Sequence, residues 1–189
     1  MLVAWLAPVL AADSRCGRPF CGMVFISDQG EVLVHDTEGA SSVFDAGLGF
    51  DLGSALFSVI YDSSQVRSLA VEWHVATSFG LSGEGPHFEL EDGPFGMTDW
   101  AVQQPDRPGL WHMPPQVQPL PRPVMTRDEI IAAFAKRTGG SEGWVDMARA
   151  CAPDCPIGID HWSLKLVALG WGVGPRWEHV VKVRNSRGC

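Results

Sequence analysis

Between residues 69 and 79 the chain alternates strictly. Leu69, Val71, Trp73, Val75, Thr77 and Phe79 fall on one side; Ala70, Glu72, His74, Ala76 and Ser78 fall on the other. Period two predicts a β-strand with one face in the core. Ser82-Gly83-Glu84-Gly85-Pro86 reads as a turn. A second alternating run follows, with Phe88 and Leu90 against His87, Glu89 and Glu91. A hairpin closed by that turn sets Phe88 near Phe79 on the core face. His87, Glu89 and Glu91 then share the opposite face with Glu72 and His74. Imidazole beside carboxylate can hold zinc or move protons, so His74, His87 and Glu89 are the candidates for chemistry. A solvated face explains the same residues, because antiparallel sheets routinely turn one polar side to water.

Other runs extend this pattern. Residues 23–27 and 31–35 form a hairpin about Asp28-Gln29-Gly30. The apolar run 55–61 suits a central strand. Asp62-Ser63-Ser64-Gln65 turns it into the 69–79 strand, so residues 55–91 predict a three-stranded antiparallel meander. Residues 98–102, with Trp100, suggest a short strand, and 161–169 and 177–183 are the last two. Residues 37–53 are rich in Gly, Ser and Ala and read as a long surface loop. Residues 105–123 carry half of the fourteen prolines, which excludes a helix interior or a central strand. This stretch is an extended crossover. Trp111 and His112 in its middle either form a stiff recognition element, cheap to order on binding, or pin the crossover to the core.

Two helices punctuate the second half. Thr126-Arg127-Asp128-Glu129 is a capping box. The helix after it turns Ile130, Ile131, Phe134 and Ala135 inward and stops at Gly139-Gly140. Ser141 caps a second helix through Cys151, with Trp144, Val145, Ala148 and Cys151 inward. The fold class is therefore α+β: an antiparallel sheet of about six to seven strands with two short helices packed on one face. Residues 13–189 form a single globular domain.

Residues 2–12 are apolar and uncharged, far short of the roughly 20 a membrane span needs. They resemble the core of a secretory signal ending in Ala11-Ala12, so 1–12 is read as an export signal. The cysteines agree. Cys16 and Cys21 form one close pair and Cys151 and Cys155 another; Cys189 is the last residue. Their C-x4-C and C-x3-C spacings are not zinc knuckles, and four cysteines allow three disulfide connectivities. Local pairing is the simplest, with a bond between the two pairs as the alternative. The chain belongs in the periplasm or outside the cell, and no span marks it as an integral membrane protein.

The net charge is −8 with eight tryptophans. Uniform acidity argues against nucleic acid, whose phosphates need Lys and Arg, and for a basic protein partner. Surplus tryptophan fills a core or lines a binding surface. Gly139-Gly140-Ser141-Glu142-Gly143 matches G-x-S-x-G, but a helix precedes the serine where a nucleophile elbow needs a strand. Cys21 as a thiol nucleophile lacks an electropositive setting. Gly47, Gly49 and Gly53 do not spell a dinucleotide loop; no cofactor or metal is indicated.

Two functions follow. The first is an exported envelope binding protein without catalysis, such as an immunity protein or inhibitor of a basic cell-wall-degrading enzyme. Its contact residues would be Glu84, Glu89, Glu91, Asp92, Trp100, Trp111 and His112. The second is a small envelope hydrolase using His74, His87 and Glu89, with or without a metal.

Overall fold

The computed structural model describes residues 16–47, 50–81, 88–90, 93–115 and 117–184. The turn 82–86, the segment 1–12, His87, Glu84, Glu91, Asp92 and Cys189 lie outside them. The fold is α+β, with antiparallel and mixed sheets and two helices. Its strands are β1 (Phe20–Ile26), β2 (Val32–His35), β3 (Ser41–Asp45), β4 (Leu56–Tyr61), β5 (Val66–Leu81), β6 (Phe88–Glu89), β7 (Gly96–Met97), β8 (Ala101–Gln103), β9 (Trp111–His112), β10 (Ile157–Gly170) and β11 (Arg176–Arg184). The helices are α1 (Arg127–Arg137) and α2 (Glu142–Cys151). Among the described residues no helix is long and apolar enough to cross a membrane.

The chain divides into two compact units. The first gathers residues up to 74, 100–115 and 162–184; the second gathers 75–99 and 117–161. Strands β5 and β10 run from one into the other.

The first unit contains two sheets. One has the order β2-β1-β4-β9. The β1–β2 hairpin forms about the anticipated turn, with Met23 opposite His35 and Ile26 opposite Val32. In the other sheet β11 lies between β3 and β10. The ring of Phe25 from one sheet stacks on Phe44 from the other, centroids 4.1 Å apart. Stacked aromatic contacts add to area burial.

Two sequence expectations change here. Residues 37–53 are not a surface loop throughout. Residues 41–45 form β3, parallel to β11 with Val181 opposite Ser42, and Phe44, Phe50 and Leu52 are buried. A parallel edge strand has no hairpin turn to announce it. The meander fails in its first leg: β4 pairs with β1, not β5, whereas β5 and β6 do pair antiparallel. The turn at 62–65 therefore hands the chain from one sheet to the other. Asp62 stabilises it, accepting from the Ser64 amide at 3.0 Å and the Gln65 side chain at 3.1 Å. Hydrogen bonds, above all from the Ser64 hydroxyl, hold the Asp62 carboxyl below its ordinary pKa.

The second unit carries the helices. Thr126 and Glu129 close the capping box that starts α1, and Gly139 and Gly140 end it with φ of 63° and 79°. Both are left-handed conformations that glycine adopts without Cβ strain. Ser141 stands at the N-cap of α2, so the G-x-S-x-G match is a helix-to-helix turn. Ile130 and Phe134 on α1 and Ala148 on α2 pack with Phe79, Leu81 and Leu90. Within this unit the helices thus cover Phe79 and Leu81 of β5, on the face that the alternation assigned to the core.

The opposite face of β5 is polar only in part. Glu72 and His74 are half-buried, but Ala76 and Ser78 are buried. A strand buried on both faces cannot alternate, and past His74 the even positions are the small residues Ala76, Ser78 and Gly80. Gly96 on β7 is required by close approach, since a Cβ there would strike the Pro121–Arg122 backbone.

Candidate functional site

The polar face of β5 in the first unit carries a built cluster. Strand β8 pairs antiparallel with β5, placing Val102 opposite Glu72 and Ala101 opposite Trp73. Trp100, just before β8, is 40% exposed. Its ring stacks on the imidazole of His74 at 4.2 Å between centroids and 15° between planes. The ammonium of Lys165, on β10, lies 4.5 Å from the Trp100 ring centroid, and Lys165 is ion-paired with Glu72. An exposed cation–π contact contributes about 0.5–1 kcal/mol. Here it also fixes the indole before anything binds. Val102 beside it is 62% exposed. The face is therefore an apolar anchor with its orientation set by an imidazole, an ammonium and a carboxylate.

The other sequence candidates scatter. Glu89 pairs in register with Gly80, six residues along β5 from His74, and it belongs to the second unit. Trp111 is buried at 5%. It pairs with Phe57 across β9 and β4, and the rings stack at 5.7 Å. Its role is to pin the proline-rich crossover, not to project from it. His112 is exposed, with Asp106 3.9 Å away. Among the described residues no three of His, Cys, Asp and Glu gather as metal ligands would. The cysteines pair locally, Cys16 with Cys21 and Cys151 with Cys155. Cys21 is thus a disulfide sulfur with no thiolate to offer as a nucleophile.

A second arrangement, also in the first unit, was not anticipated. Ser42 Oγ lies 2.8 Å from His35 Nε2 and 2.9 Å from His179 Nε2. His179 Nδ1 is 2.9 Å from the Gly39 carbonyl oxygen. That carbonyl can only accept, so Nδ1 carries the proton. Burial lowers the pKa of His179, opposed by the Gly39 hydrogen bond and aided by the nearby Arg18 cation. Burial likewise lowers that of His35, with His179 acting in the same direction and Asp36 against it. In its neutral form His179 has a lone pair at Nε2, which accepts from the Ser42 hydroxyl. Ser42 in turn accepts from His35 Nε2–H. The register of β3 and β11 sets this up, because Ser42 is opposite Val181 and shares its face with His179 two residues away. No sequence signal marks it: Ser42 stands in a Ser/Gly-rich stretch and the histidines are far apart in the chain.

The second unit holds a buried acid–imidazole pair. His161 Nδ1 is 2.6 Å from Asp160 Oδ2, with both side chains at most 5% exposed. Phe95 meets the His161 ring edge-on at 5.4 Å. A substrate could not reach this pair without opening the core.

Comparison with family models, with characterised proteins and with solved structures finds no match for this chain.

Proposed function

We propose that the chain is an exported binding protein for a basic protein partner, acting as an inhibitor or immunity protein does, with the Trp100 face as its anchor. The observation that carries this reading is the exposed indole of Trp100, clamped between His74 and Lys165. Interface energy concentrates in a few residues, and tryptophan is prominent among them. A ring already held in place loses little entropy on binding. The net charge of −8 favours encounter with a cationic surface. Two disulfides fit an oxidising compartment, which supports the periplasm or the exterior as its place of work.

The test compares immobilised wild type with Trp100→Ala as bait for proteins of the producing cell's envelope and medium. The expected result is a basic protein retained by wild type, released as salt rises, and retained at least about tenfold less by the variant. Equal retention by the two baits removes Trp100 as the anchor. Retention insensitive to salt removes the basic partner.

A further inference from the structure

We infer that Ser42 is a nucleophile for acyl transfer from esters, with His179 as its base and His35 as the donor that orients its hydroxyl. The inference goes beyond the binding reading and rests on different residues.

A free serine hydroxyl is a weak nucleophile. It is activated when a neutral imidazole within hydrogen-bond reach takes its proton and a third group orients that imidazole. Ser42 and His179 meet this geometry at 2.9 Å, and the Gly39 carbonyl, 2.9 Å from Nδ1, is the orienting group. A carbonyl here occupies the place an aspartate takes in the familiar triad. It fixes the tautomer but brings no negative charge, so the base is weaker than one backed by a carboxylate. His35 Nε2–H, 2.8 Å from Oγ, occupies one serine lone pair and so turns the hydroxyl hydrogen toward His179. Ser42 and His35 are half-buried rather than sealed. An open depression of about 210 Å3, whose wall includes Gly39, Phe20, Thr37 and Arg18, meets the arrangement at the orienting Gly39 and not at Ser42.

The step balances without a cofactor. The Ser42 proton passes to His179 Nε2 as Oγ bonds to the ester carbonyl carbon. The bond from that carbon to the alcohol oxygen then breaks, and His179 returns the proton to the departing alcohol. Water, activated by the same imidazole, hydrolyses the acyl-serine and restores the hydroxyl.

The experiment treats folded wild type at neutral pH with a fluorophosphonate and, separately, with p-nitrophenyl acetate, and maps adducts by peptide mass spectrometry. The expected result is one dominant adduct, on Ser42, forming at least about tenfold faster than in the urea-unfolded chain, since general base catalysis contributes roughly a hundredfold or more. Ser42→Ala should lose the adduct, and His179→Ala should slow its formation to the unfolded rate. Val124→Ala, at a 93% exposed residue outside both arrangements, should react like wild type. An absent Ser42 adduct, adducts only elsewhere, or equal rates in folded and unfolded chain would overturn the inference. So would a folded His179→Ala that reacts at the wild-type rate. Where His179→Ala does not fold, the wild-type map decides.

Discussion

Trp100 and Trp111 are eleven positions apart in neighbouring turn-rich stretches, yet one ends exposed and the other buried. Trp111 enters β9, pairs beside Phe57 and is 5% exposed. Trp100 precedes β8, stacks on His74 and is 40% exposed. Both were candidate contact residues on residue type alone. What separates them is the strand each accompanies and the face its register turns outward. Surplus tryptophan therefore says that large rings are present; sheet pairing says which of them a partner can reach.

The largest effect should come from the buried ring. Trp111→Ala is expected to destabilise the fold by about 3–5 kcal/mol, the usual cost of emptying a large aromatic site in a core. Urea unfolding monitored by circular dichroism measures it. A cost similar to that of Trp100→Ala would erase the contrast. Acid probes the interior without a mutation. His35 and His179 have folded pKa values below their unfolded ones. The unfolded chain therefore binds more protons, and stability falls as pH drops through about 6.5 toward the folded values. It is fully present above that window. Thermal melts between about pH 7.5 and pH 5 should show a falling midpoint, and His35→Gln should flatten the slope. A flat wild-type profile would mean that the histidines are not buried neutral. The smallest effect on stability should be that of Trp100→Ala, below about 1 kcal/mol, since it removes one exposed ring and its cation–π contact. A larger loss would make Trp100 part of the packing and weaken its case as a free anchor.

Comparing β5 with β3 shows how far pattern reading reaches. The 69–79 alternation was legible because each odd residue faces a packed layer, and Phe79 does meet Ile130 and Phe134 through the capped helix. The same alternation misjudged Ala76 and Ser78. Small residues look like polar-face residues until a second layer is known to cover them. Strand β3 was missed because a parallel pair joins residues far apart in sequence, such as Ser42 and Val181. Of the candidate surface, His74 and Trp100 were legible, whereas Lys165, which also contacts the ring, comes from β10. The Ser42 arrangement depends on β2, β3 and β11 at once, and no local window contains it.

By itself, the sequence determined the elements whose cause is local. These are the β1–β2 hairpin at its Gln29-Gly30 turn, the capping box of α1, the glycine stop after it, and the close cysteine spacings that pair within themselves. It also determined the overall charge of −8. Only the tertiary structure decided which strands share a sheet, which tryptophan is exposed, and that His35, Ser42 and His179 converge. The physical reason is the same for all three. Backbone turns and caps are satisfied by neighbours along the chain, whereas strand pairing and side-chain burial are satisfied by partners whose distance in sequence is unconstrained.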